Sequence, residues 1–201
     1  MYLDKTIAKL QTTSDVTIVA LGDSLTSGWM VARGYMEFLR DMLMVRYPKA
    51  AIRLVNSGIP GDTAPGGLYR LQQDVVSYSP DFVLVQFALN DAFCGCSLGD
   101  YRRAIEAIVE RVRQESSAEV MLLTSTLPAD MEELSTVNSF YAELKKIAQE
   151  KSCACACVDE RWRDAIEGGM LHDELVLHDR VHPSEAGYRL MAEAIMACLA
   201  G

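Results

Sequence analysis

Five short apolar runs punctuate the chain, at residues 16–21, 51–56, 82–87, 120–124 and 153–158, each five or six residues long and most of them rich in β-branched side chains. Segments with a helical repeat lie between and after them. Tyr35, Phe38, Leu39, Met42 and Leu43 follow the i, i+3, i+4, i+7, i+8 spacing of a helix with one buried stripe. Tyr101, Ile105, Ile108, Val109 and Val112 repeat it, as do Phe140, Leu144, Ile147 and Ala148, and finally Tyr188, Met191, Ala194, Ile195 and Cys198. Residues 68–78 form a shorter helical candidate. Strands that alternate with helices predict a five-stranded parallel sheet covered by helices on both faces. No linker rich in Ser, Gly or Pro and no internal repeat breaks the rhythm, so residues 1–201 read as one domain.

Composition narrows the class. Of 201 residues, 50% are hydrophobic and 23% charged, a profile that excludes intrinsic disorder. No run approaches the roughly 18 apolar residues of a membrane span. The 19 Lys and Arg against 28 Asp and Glu leave a net charge of −9, which repels phosphate backbones and argues against nucleic acid or stable membrane insertion. The first fourteen residues lack an apolar core of the kind a secretory signal carries, so a cytoplasmic location is expected. Reduced thiols are then the default for the six cysteines. Cys153, Cys155 and Cys157 alternate in a strand-like run, which puts three thiols on one face, and they read as small buried strand residues, with metal or redox chemistry as the alternative.

In open parallel sheets, ligands bind beyond the carboxyl ends of the strands. Gly22-Asp23-Ser24-Leu25 follows the first strand, where a serine ahead of a helix exposes its hydroxyl; an N-capped turn would look the same. Asn56 to Thr63 follows the second and contains Gly58 and Gly61, which permit positive φ and close backbone approach. Asn90-Asp91 follows the third. Asp179-Arg180-Val181-His182-Pro183 precedes the last helix, and its i, i+3 spacing lets the Asp179 carboxylate orient the His182 ring. Together the four segments supply a hydroxyl, backbone amides, a carboxamide and an acid-oriented imidazole, the inventory that acyl transfer requires. His172 and His178 lack such an acid and read as surface or loop residues.

These blocks resemble the GDSL/SGNH hydrolase superfamily, in family order and over nearly the whole chain. The resemblance implies a flavodoxin-like three-layer α/β/α sandwich. It also implies Ser24 as nucleophile, His182 as base and Asp179 as its orienter, with Ser24, Gly61 and Asn90 supplying oxyanion donors. One departure is visible: Ala88-Leu89-Asn90-Asp91 stands where the family usually has Gly-x-Asn-Asp. The added Cβ is costly only where φ is positive.

The activity implied is hydrolysis of a small ester or thioester of a short or medium acyl group, with no cofactor or metal. An acyltransferase would use the same acyl-enzyme, and a non-catalytic binding module could keep the same loops. Trp29, Met30 and Phe93 follow the catalytic blocks and read either as walls of a substrate pocket or as ordinary packing.

Overall fold

The computed structural model describes residues 2–199. Its five strands are β1 (Asp15–Gly22), β2 (Ala51–Gly58), β3 (Phe82–Gln86), β4 (Glu119–Leu123) and β5 (Ala154–Ala156). They pair in the order β2-β1-β3-β4-β5, every pair parallel, which is the flavodoxin-like doubly wound order. The helices are α1 (Asp4–Leu10), α2 (Ser24–Ser27), α3 (Tyr35–Arg46), α4 (Ala64–Tyr69), α5 (Leu71–Asp74), α6 (Leu89–Phe93), α7 (Leu98–Glu115), α8 (Met131–Glu150), α9 (Val158–Glu167), α10 (His172–Leu175) and α11 (Glu185–Leu199). Helices α3, α11 and α9 pack together on one side of the sheet, and α4, α7 and α8 on the other. None of the described helices is long and apolar enough to cross a membrane.

The burial pattern explains the strands. Every residue of β3 is buried, as are six of the eight in β1, because helices cover both faces there. β2 lies at the edge and is only half covered. The predicted helical stripes at residues 101–112, 140–148 and 188–198 fall within α7, α8 and α11, with Tyr101, Leu144 and Tyr188 fully buried.

Three expectations need correcting. Residues 68–78 do not form one helix: α4 ends at Tyr69, α5 begins at Leu71, and a 3₁₀ turn covers Val76–Tyr78. Arg70 sits at the break with φ −92° and ψ 4°, and its guanidinium is committed to tertiary partners described below. Helix propensity yields to those bonds. The fifth strand is only three residues long. Cys157 instead becomes the N-cap of α9, and of the three alternating cysteines only Cys153 is fully buried. Helix α9 itself has no counterpart in the sequence reading, although Val158, Trp162, Ala165 and Ile166 carry its stripe and Trp162 is fully buried.

Candidate active site

The carboxyl end of β1 turns straight into α2, and the turn depends on Gly22. A Cβ there would stand 2.1 Å from Thr26 Oγ1 and 2.7 Å from the Gln86 carbonyl oxygen. Asp23 caps the short helix, its Oδ1 accepting from the Leu25 N–H at 2.8 Å. Ser24 is thereby held in the first turn, where backbone N–H groups have no partner within the helix.

A separate loop brings the histidine. Val176 and Pro183 form an isolated antiparallel bridge, and the Leu177 N–H donates to the His182 carbonyl at 2.8 Å. The loop between them turns at Arg180, which takes a left-handed φ of 61°. Asp179 Oδ1 accepts from the backbone N–H groups of Val181 (3.0 Å) and His182 (2.9 Å), while Oδ2 lies 2.7 Å from His182 Nδ1. On the other side of the ring, Nε2 lies 2.9 Å from Ser24 Oγ. The ionised Asp179 carboxylate accepts from Nδ1–H, which leaves the Nε2 lone pair to accept from the Ser24 hydroxyl. Burial raises the Asp179 carboxyl, but bonds from Val181 N–H, His182 N–H and the ring outweigh it and hold the group below its ordinary range. The Asp179 carboxyl is thereby held in its charged form.

The other two segments converge through Asp62. The Asn90 side-chain amide donates to the Asp62 carbonyl at 2.9 Å, and an amide nitrogen carries a second hydrogen. Gly61 has φ +80°, with open space where a Cβ would point, and its N–H donates to no group among the described residues. Only glycine takes that φ without strain. Ala88 has φ 154°, so the one departure from the family pattern falls at a position where an alanine is strained. Asp91 Oδ1 accepts from the Ala64 N–H, joining this segment to the start of α4.

Arg70 ties the loops together, and sequence reasoning missed it. Its Nη2 donates to the Gly22 carbonyl (2.9 Å), Nη1 to the Ser57 carbonyl (2.7 Å) and Nε to Asp62 Oδ2 (2.8 Å). Asp74 is its fourth partner. The partners include two backbone carbonyls, which leave no trace in the residue pattern.

Trp29, Met30 and Phe93 are 44%, 74% and 42% exposed, which removes ordinary core packing as their explanation. His178 is exposed, as expected. His172 is half-buried, with Nε2 2.7 Å from the Leu127 carbonyl, so it secures a loop.

A buried carboxyl lies directly beneath the nucleophile. Burial pushes Asp23 up to about 7, the Leu25 N–H and Gln86 oppose the shift, and Asp91 and Asp62 add to it. Asp91, likewise buried, is pushed up to about 6. Folded Asp23 therefore keeps its proton across a range where the unfolded chain, at its ordinary 3.8, has lost it. Its contribution to stability is full below about pH 4 and is lost as pH rises through about 7, a change of roughly 4 kcal/mol. Asp23→Asn keeps the cap acceptor and should flatten that slope, as read by urea unfolding near pH 5 and near pH 8. An unchanged slope would show that Asp23 does not titrate in this range.

The chain is similar to several known esterases. The chain is 22% identical over 202 residues to an acetylxylan esterase from Geobacillus stearothermophilus, covering 89% of this chain and 91% of that one. It is 23% identical over 180 residues to an arylesterase from Vibrio mimicus, covering 89% and 85%. A solved structure of the Geobacillus enzyme shares the fold with a TM-score of 0.83 at 22% identity, covering 96% of this chain and 97% of that one. Variants of that enzyme described as catalytic mutants replace a serine, an aspartate and a histidine by alanine. The model of the GDSL-like lipase/acylhydrolase family matches residues 20–190. Because that span runs from within β1 to within α11 and takes in Ser24 and the whole Asp179–His182 loop, the chain belongs to the GDSL-like lipase/acylhydrolase family and is a carboxylic ester hydrolase.

Proposed function

We propose that this esterase works through a Ser24 acyl-enzyme on a small neutral ester with a short acyl group. The continuous path from Asp179 through His182 to Ser24 Oγ, with spacings of 2.7 and 2.9 Å, carries the reading. His182 Nε2 takes the Ser24 proton as Oγ attacks the carbonyl carbon, and the resulting imidazolium is stabilised by Asp179. The tetrahedral oxyanion is met by the backbone N–H groups of Ser24 and Gly61 and by the second Asn90 amide hydrogen. His182 then returns its proton to the leaving alcohol. Water, activated by the same ring, releases the acid.

One observation supports a short acyl group. The relatives that match nearly the full chain include an esterase of acetylated xylan. The measurement is kcat/KM across p-nitrophenyl esters of increasing chain length. Acetate should exceed decanoate by about tenfold or more, the discrimination that excluding even one methylene from a site can supply. A rising series would overturn the short-acyl assignment and leave Ser24 chemistry standing. No turnover of any ester would remove both.

A further inference from the structure

β3 is apolar through Phe82, Val83, Leu84 and Val85 and then ends on a fully buried Gln86. A buried amide costs free energy unless its donor and its acceptor are both bonded. Here both are. Gln86 Nε2 donates to Asp23 Oδ2 at 3.2 Å, and Oε1 accepts from the Thr26 hydroxyl at 2.9 Å. Because Thr26 gives its one hydroxyl hydrogen to Gln86, the Tyr35 hydroxyl 3.1 Å away is the donor to Thr26. Asp23, Thr26 and Tyr35 are buried as well, so a row of four polar side chains runs beneath the nucleophile, closed to solvent.

This row holds the peptide that joins Asp23 to Ser24. The Asp23 carbonyl accepts from the Ser27 N–H at 3.0 Å, along α2. In a trans peptide the N–H points opposite to the C=O, so the Ser24 N–H points out of the helix start. It donates to no group among the described residues. Backbone bonds secure the chain on either side: Arg70 and the Ile59 N–H hold the Gly22 carbonyl, and Asn56 Nδ2 holds the Thr26 carbonyl at 2.7 Å. The Asp23 side chain itself is held twice. The bond from the Leu25 N–H lies inside the turn and moves with it. The bond from Gln86 is, among the described residues, the one that reaches it from another strand. Gln86 faces Gly22 in the β1–β3 register, and four residues after Gln86 the same segment carries Asn90. One amide therefore sets the turn that presents the Ser24 N–H against the strand whose continuation presents the Asn90 carboxamide.

We propose that Gln86 is a positioning residue for the hydrolysis: by holding Asp23 from β3 it aims the Ser24 N–H at the developing oxyanion, in step with Asn90, a role that rests on the reading of Ser24 as nucleophile and oxyanion donor.

Gln86→Met keeps the side-chain length and removes both bonds. With p-nitrophenyl acetate its kcat should fall about tenfold and KM should stay within about twofold; losing a donor outright costs about 10²- to 10³-fold, and here the bonds to Gly22 and Thr26 remain. Ethylboronic acid reads the oxyanion site separately. Its boron takes the Ser24 oxygen as the serine proton passes to His182, leaving a tetrahedral anion, so its inhibition constant should weaken by the same factor as kcat. Tyr35→Phe is the control. It deletes a buried bond of the same row but leaves Thr26 bonded to Gln86, so it should lower the urea midpoint and keep kcat and boronate inhibition within about twofold. Should Gln86→Met fail to fold, Thr26→Val, which frees one end of the Gln86 amide, should lower kcat and boronate affinity together by about threefold. Unchanged kcat in a folded Gln86→Met chain, or in Thr26→Val where it stands in, would overturn the role. So would a loss carried by KM, boronate inhibition that does not follow kcat, or an equal loss in Tyr35→Phe. Hydrolysis that survives Ser24→Ala would instead remove the nucleophile on which the role depends.

Discussion

Changing Ser24 to alanine should lower kcat for p-nitrophenyl acetate by on the order of 10⁴- to 10⁶-fold, the size of loss seen when a serine nucleophile acting as one unit with its histidine is removed. Three observations make the effect specific to chemistry. The hydroxyl is the end of the hydrogen-bonded path from Asp179, so its loss leaves His182 Nε2 with no proton to take. Asp23 supplies the helix cap, and Ser24 contributes only its backbone to that turn. The Trp29 N–H and the Ser27 hydroxyl both bond the Ser24 carbonyl, which alanine retains. Circular dichroism and the urea midpoint of the variant should therefore match the parent within about 1 kcal/mol. A fluorophosphonate should label the parent at one residue, and mass spectrometry should place the adduct on Ser24. Retained hydrolysis or retained labelling in Ser24→Ala would remove the proposed nucleophile and leave only the family's general chemistry.

The parts of this molecule legible from residue order are those in which local pattern and tertiary environment agree. β1, β3 and β4 are covered on both faces, so they show as continuous apolar runs that no helix period explains. The Asp179–His182 pair was legible because an i, i+3 turn is a local geometry, and Ser24 because a strand end followed by a helix start is local too. What escaped was built from distant backbone. The interruption at Arg70 depends on partners 4 to 48 residues away, and the short fifth strand on its pairing with β4, and a carbonyl oxygen looks the same in every residue. Helix α9 escaped for a different reason. Its polar face, Asp159 to Asp164, holds five charged residues around Trp162, so one aromatic had to signal the stripe. The strained φ of Ala88 could be posed as a question from the residue type, but only the backbone could answer it.

Arg70 is the residue through which fold and chemistry are most tightly joined, and Arg70→Ala should damage both. Its side chain is 11% exposed and makes four hydrogen bonds, two to carboxylates and two to carbonyls of different strands. Truncation leaves the Asp62 and Asp74 carboxylates without their cation and the Gly22 and Ser57 carbonyls without this donor. Losing one partner of a buried pair typically costs about 3–5 kcal/mol, which a urea or thermal unfolding curve will show. The catalytic consequence follows from where those partners sit. Gly22 precedes Asp23 and Ser24, Asp62 follows Gly61, and the Asp62 carbonyl is the anchor of Asn90. Releasing Arg70 leaves the oxyanion loop tied to the nucleophile's strand by little more than the Ile59 N–H to Gly22 carbonyl bond (3.0 Å) and the end of the β1–β2 pairing, so kcat should fall by about 10²- to 10³-fold, comparable to losing one oxyanion donor, while KM changes little. Arg70→Lys separates the two roles. A lysine restores positive charge beside Asp62 and should recover most of the stability, but one ammonium cannot reproduce the planar fork that spans both strand ends. A stable Arg70→Lys enzyme with kcat still depressed would identify a positioning residue. If its activity returned in step with its stability, Arg70 would be a structural brace only, and the loops would be held in register by their other bonds, among them Ile59 N–H to the Gly22 carbonyl and Asn90 to the Asp62 carbonyl.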